Sequence, residues 1–382
     1  MASDSHTISQ WQIVRRDGWL LSSLTWLPVA LALSIWAVFS HGIARDLPIA
    51  VVDFSHSEMS QTLTRYYDAT SSMAVIQQLQ SVEQAKQALV EGKIYAYAVI
   101  PSNFDSDVYK GLMPRVSVFY NSQTILIGKL VNSAFLQAQG TFNAQVTTMK
   151  NLTLGNQTIT SAMANAVPIR TQITPLFNKN SNYAQFLVSA VVPALWQIVV
   201  VVSTILILTA NHRMRGLRSW LGERPAKQIL NTLAPYLPIF VLQGFAFLCW
   251  FYIGLKWPMN GSLFLLVVGQ FVTAIACMIM GSFFFFMTLD PARAMSFAGA
   301  FTAPSFAFMG ITFPVTDMNS LAQFWRSLLP ISHYIELQVN QVSYGEPWPV
   351  AINELLPMLG YALPLLLTLV LVKKHLKQEQ VA

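Results

Sequence analysis

The sequence predicts an α-helical integral membrane protein with six transmembrane helices and an inserted extracytoplasmic α/β domain. Three observations predict it. Only 10% of the 382 residues are charged and 54% are hydrophobic, whereas soluble domains average about 25% charged. Six apolar segments are long enough to cross a bilayer, which takes about 20 residues. Residues 41–183, between the first and second of these, alternate strand-like and helix-like patterns instead. The net charge of +6 fits basic cytoplasmic loops, so it does not imply nucleic acid.

The chain opens with residues 1–19, where "ISQWQIVRRDGW" places Ile8, Trp11 and Val14 near one helical face. This predicts a cytoplasmic helix lying along the membrane interface. The first span is Leu20–Ser40, read as an uncleaved signal anchor because its apolar run is too long for a cleaved leader. Five further spans follow within residues 184–372: Ala184–Ala210, Gln228–Leu255, Gly261–Leu289, Ala294–Phe313 and Leu355–Val372. None holds a charged residue away from its ends. Residues 373–382 form a cytoplasmic tail.

Orientation follows from Lys and Arg. With the N-terminus inside, the cytoplasmic segments hold Arg15, Arg16, Arg213, Arg215, Arg218, Arg224, Lys227, Arg293, Lys373, Lys374 and Lys377. The short outer connections hold only Lys256 and Arg326. Both termini are therefore expected in the cytoplasm of a cell with this protein in its inner membrane. Residues 41–183 are expected outside.

That outer segment reads as a domain. "LPIAVVDFS" is a buried strand ending at Asp53, where the bland role is to cap the next turn. A helix over Ser57–Ala69 follows, then "MAVIQQL" as a second strand. "SVEQAKQALVEG" is a helix with Ser81 as N-cap and Gly92 as its stop. "IYAYAVIP" and "RVSVFYN" are the third and fourth strands, with a short helix between them. A Gln/Ala/Asn-rich helical run then continues to about Asn165, and "IRTQITPLFN" returns toward the membrane in extended form.

Several chemistries lack their motifs. No G-x-x-x-x-G-K-[ST] is present, so the chain has no such cradle for ATP phosphates. H-E-x-x-H and G-x-S-x-G are absent, the six histidines are scattered, and Cys249 and Cys277 sit inside apolar runs. A catalytic role, a bound cofactor and a metal are not expected.

The inner loop 211–227 is more telling. "NHRMRGLRSWLGERPAKQ" carries a short helix with Met214, Leu217, Trp220 and Leu221 on a roughly common face. Its residues suit two roles: a segment held on anionic lipid by its arginines, or a helix that docks into a cytoplasmic partner. The loop at Asp290–Arg293 reads as a tight inner turn in which Asp290 caps the following helix.

Residues 314–334 form an outer hairpin. "GITFPVTDMNSLAQFWRSLLPISHY" is apolar yet broken by Pro314 and Pro330. Irregular backbone at membrane depth survives only where protein or water covers it. Pro314 is expected to end the fifth span, and Met318–Leu329 to form a short amphipathic helix. One reading is a re-entrant plug with Phe313, Phe324 and Trp325 as an apolar seal and Asp317 and Arg326 at a wet rim. The other is an interfacial helix with no gating role.

The layout, with "GITFPV…M…W…LPISHY", "LPIAVVDFSHSEMSQTL" and "ALVEGKIYAYAVIPSNFDSDVYKG", resembles the ABC-2 type permeases over nearly the whole chain. The resemblance implies a half-transporter that pairs with a second copy or a paralogue through its first and fifth helices. It implies a separate ABC ATPase subunit, which would hold ATP and Mg, docked on a coupling helix drawn from Arg213, Arg215, Leu217, Arg218, Trp220, Leu221, Glu223 and Arg224. Membrane lipid and a periplasmic adaptor are further expected partners. Candidate pathway residues, taken from polarity within spans, are Asn231, Thr232, Gln243, Gln270, Thr273 and Ser305. The expected function is export of an amphipathic or hydrophobic compound. The rivals are a membrane sensor whose outer domain binds a ligand, set against only ten residues after Val372, and a membrane enzyme built on Asp317, His333 and Glu336.

Overall fold

The computed structural model describes residues 9–154, 158–167, 176–178 and 181–381. The chain divides into two compact units, Met1–Gly42 with Pro175–Ala382, and Ile43–Thr174.

The helical unit begins with α1 (Gln10–Arg16) and α2 (Gly18–Leu24). Ser9 and Gln12 form a reciprocal capping box at the start of α1. Asp17 then ends α1 and caps α2 by accepting from Leu20 N at 3.1 Å. A third helix, α3 (Trp26–Phe39), leaves α2 at 52°. The predicted first span Leu20–Ser40 is thus a bent pair. Pro28 explains the bend, because its ring crowds the carbonyl of Leu24 and it has no N–H to return.

The inserted unit holds a four-stranded sheet in the order β2-β1-β3-β4. In chain order its elements are β1 (Leu47–Asp53), α4 (Glu58–Asp68), β2 (Met73–Leu79), α5 (Val82–Val90), β3 (Ala96–Ile100), α6 (Phe104–Tyr109), β4 (Ser117–Tyr120), α7 (Ile125–Leu154) and α8 (Ile159–Ala166). β1 runs parallel to β2 and β3, and β4 returns antiparallel to β3. Ile49, Ala50, Val51 and Val52 are all fully buried, which a strand covered on both faces requires. One face packs on Leu63, Tyr67, Phe135 and Phe142 of α4 and α7, the other on Ala85 and Ala88 of α5. Asp53 has the bland role: its carboxylate accepts from Ser55 N, His56 N and Ser60 Oγ. Ser81 caps α5 as expected. The predicted run to Asn165 is described as two helices, and most of "IRTQITPLFN" lies outside the described residues.

The helical unit resumes with α9 (Tyr183–Arg215), α10 (Leu217–Leu221), α11 (Pro225–Leu233) and α12 (Leu237–Cys249). Then come α13 (Leu263–Thr288), α14 (Pro291–Thr302), α15 (Ser305–Phe308), α16 (Ser320–Ser327), α17 (Pro330–Val339), α18 (Trp348–Asn353) and α19 (Ala362–Val381). The helix α9 lies at the centre, packed against α3, α13 and α14. Its Trp196 is buried and donates from Nε1 to Phe240 O at 3.2 Å.

Among the described residues four helical stretches are long and apolar enough to cross a membrane: Tyr183–Arg215, Pro225–Gly254, Leu263–Thr288 and Trp348–Gln380. The bent pair α2–α3 makes a fifth. The predicted span Ala294–Phe313 does not form a helix of that length. Its helix α14 stops at Thr302, and Pro304 starts a separate four-residue turn of helix. So Pro304, not Pro314, ends the fifth element. Pro314 sits in extended backbone beyond it. Asp290 caps α14 through Arg293 N at 2.7 Å. The last helix continues unbroken through most of the predicted tail.

Candidate functional site

The basic loop builds the most organised candidate site. Helix α9 ends in its last turn at His212, Arg213 and Arg215. Gly216 follows at φ +74° and Gly222 at φ +55°. Other residues adopt that region only under strain, so the two glycines let the chain turn sharply on either side of α10. The five residues between them split by face: Leu217, Trp220 and Leu221 are buried, whereas Arg218 and Ser219 are exposed, as are Glu223 and Arg224 just beyond Gly222.

The buried face is fixed from two directions. Trp220 Nε1 donates to Thr232 Oγ1 on α11 at 2.9 Å. Its ring stacks on Phe286 of α13, with centroids 6.3 Å apart. The carbonyl of Phe286 in turn meets His375 Nε2 of α19 at 3.0 Å. Three helices therefore hold one short one. Leu217, Trp220 and Leu221, which the sequence places on one helical face, are thus the anchors of α10 inside the unit.

A second clamp was not legible in the sequence. The carboxamides of Gln10 and Asn211 exchange hydrogen bonds at 3.0 and 3.2 Å, and Tyr236 OH donates to Gln10 Oε1 at 3.2 Å. Helix α1 is thereby tied to the end of α9. Arg213 lies 3.9 Å from Asp17, a long pair whose arginine is exposed and which therefore carries little energetic weight.

The hairpin differs from its expected form. Helix α16 spans Ser320–Ser327 with Asn319 as its cap. Phe313 and Phe324 are 50% and 59% exposed, so within the chain they seal nothing. Trp325 packs against the helical core. Arg326 is not at a wet rim: its side chain is only 13% exposed and pairs with Glu336 of α17 at 2.6 Å. Asp317 is exposed. Among the described residues no group of His, Cys, Asp and Glu side chains is arranged to hold a metal ion.

The polar residues within the spans are mostly bonded to neighbouring helices. Thr232 anchors Trp220. Gln243 donates to Leu24 O at 2.9 Å. Gln270 donates to Tyr334 OH at 3.1 Å. Thr273 donates to Gly269 O. Ser305 accepts from Gln197 Nε2 at 3.0 Å. Only Asn231 is exposed. The sequence reading missed Gln197, which is fully buried and also accepts from Ile331 N at 3.0 Å.

A family model described as ABC-2 family transporter protein matches residues 18–371. No curated protein and no solved structure gave a significant match. The match reaches across both units and takes in the whole of the basic loop. Proteins of this family are transport membrane subunits rather than ATPases, and the family implies an ABC ATPase as partner. With this match over most of its length, the chain belongs to the ABC-2 family of transporter proteins.

Proposed function

We propose that this chain is the permease subunit of an ATP-driven exporter that moves an amphipathic or hydrophobic compound out of the cytoplasm or inner leaflet. Two permease chains, identical or paralogous, flank the path. A separate ATPase carries the ATP and Mg and docks on α10 and its flanks. The observation that carries the reading is the two-faced geometry of α10. A lever must be rigid on the side that receives force and open on the side that is pushed. Here the apolar side is held by Thr232 and Phe286, and the charged side offers Arg218, Glu223 and Arg224.

The arginine bias supports a cytoplasmic position for α10 and for both termini, with residues 41–183 outside. An outer domain of that size suits docking of a periplasmic adaptor. Polar residues already bonded between helices leave the path to the face between two permease copies, with the hairpin at its outer end.

The test is the double variant R218E/R224E, purified from native membranes. The ATPase that accompanies the wild-type chain should be lost, and ATP-driven transport with it. Thermal stability should not change, because neither side chain is buried. Undiminished ATPase association would overturn the reading.

A further inference from the structure

A cavity of about 730 Å³ lies within the inserted unit, between α7, β4 and the segment 111–116. Ligand sites commonly run to roughly 300–1,000 Å³. Its composition is one-sided. Phe104, Phe135 and Phe142 supply an aromatic floor, and Arg115 and Lys150 supply two cations. No Asp or Glu is among its lining residues. Neither cation has an ion-pair partner among the described residues.

The polar groups along α7 are already set in place. Asn132, Gln139, Asn143, Thr147 and Lys150 are spaced by seven, four, four and three residues, so they share one face. Tyr67 OH donates to Gln139 Oε1 at 2.7 Å, and Gln139 Nε2 donates to Asn143 Oδ1 at 3.1 Å. Burial pushes the Tyr67 phenol above its ordinary range, which keeps it a donor. With its oxygen engaged by Gln139, Asn143 has its NH₂ left to donate. The near lip is apolar: Leu112 is mostly exposed and Met113 is 98% exposed. Gly111, at φ +75°, lets Lys150 approach closely, with Nζ 3.3 Å from where a Cβ would stand.

We propose that this cleft binds an amphipathic anion, its apolar body on the phenylalanine floor and its acidic head held by Arg115, Lys150 and the Asn143 amide. The aromatic floor rejects a strongly hydrated small anion, since burying it there would leave charge unpaired. Two unpaired cations reject an amphipathic cation by the same cost. The inference does not depend on which compound crosses the membrane, and it holds for a ligand that is carried or one that only regulates.

The experiment uses the full chain in lipid nanodiscs and a diazirine-bearing decanoate as probe, with labelled peptides mapped by mass spectrometry. Label is expected on residues 111–116 and on α7 between 132 and 150, displaced by excess decanoate but not by decyltrimethylammonium. The variant R115E/K150E should reduce this labelling about ten-fold, the factor that losing roughly one charge-assisted hydrogen bond implies. Val146→Trp, which fills the cavity without changing charge, should reduce it as well, and R115K/K150R should retain most of it. Displacement by the cation as effective as by decanoate would overturn the proposal. So would labelling unchanged in both R115E/K150E and Val146→Trp.

Discussion

The indole Nε1 of Trp220 donates a 2.9 Å hydrogen bond to Oγ1 of Thr232, joining the five-residue helix α10 to α11. Both residues are buried, and Thr232 also donates to Gln228 O at 2.8 Å. Thr232→Val would leave the indole N–H buried without an acceptor, a loss of about 1–3 kcal/mol. Trp220→Phe would remove the donor and part of the stack on Phe286. In a double-mutant cycle the combined variant should lose less than the sum of the two, by about 1 kcal/mol. Chemical denaturation in detergent reads each value, and strict additivity would show that the bond contributes nothing.

How much of this was legible in the sequence follows from the range of the interactions. Ser81 and Asp53 were readable because capping acts within three to seven residues of the cap. The common face of Leu217, Trp220 and Leu221 was readable from helical spacing. What covers that face was not, because Thr232 and Phe286 come from two other helices. The break at Pro304 was misplaced to Pro314 because the run Ala294–Phe313 carries no charge and is mostly apolar, and hydropathy does not register a lost backbone N–H. Ser305 was singled out as polar, but its partner Gln197 lies 108 positions away.

Gln197 should be among the most sensitive polar residues of the helical unit. Helix α17 begins at Leu329–Pro330 with no side-chain cap of its own. Gln197 supplies one from α9, through Oε1 to Ile331 N at 3.0 Å. Gln197→Leu removes that cap and leaves a buried backbone donor unpaired, for about 1–3 kcal/mol. Ser305 keeps its bond to Thr302 O in this variant. The midpoint of thermal unfolding should fall clearly below wild type, and an unshifted midpoint would remove the capping role.

Close approach of α9 and α13 depends on Gly281. A Cβ there would stand 2.8 Å from the backbone oxygen of Val201 and 2.9 Å from Thr204 Cβ. Neither atom is the end of a flexible side chain, so the helices themselves must separate. Small residues are what permit such contact between membrane helices. Gly281→Ala should therefore cost about 1–3 kcal/mol by overpacking, despite its better helix propensity. Gly299, which has open space around it, is the control: Gly299→Ala should be neutral or slightly stabilising. Equal thermal stability for the two variants would contradict the argument.

Arg326 and Glu336 tie the hairpin helix α16 to α17 across the Pro330 turn, at 2.6 Å. The partners are unequally wet, with side-chain exposures of 13% and 40%. Removing the carboxylate strands a mostly buried guanidinium, a change that costs about 3–5 kcal/mol when both partners are fully buried. Solvent at Glu336 screens part of that, so Glu336→Leu should cost about 1–3 kcal/mol. Replacing both, in R326M/E336L, should recover most of the loss, because no unpaired charge then remains. The two outcomes separate charge pairing from packing: if E336L and R326M/E336L unfold at the same temperature, the guanidinium was never the cost. If the double variant recovers stability yet the hairpin becomes protease-sensitive, the pair is what orients α16 against α17.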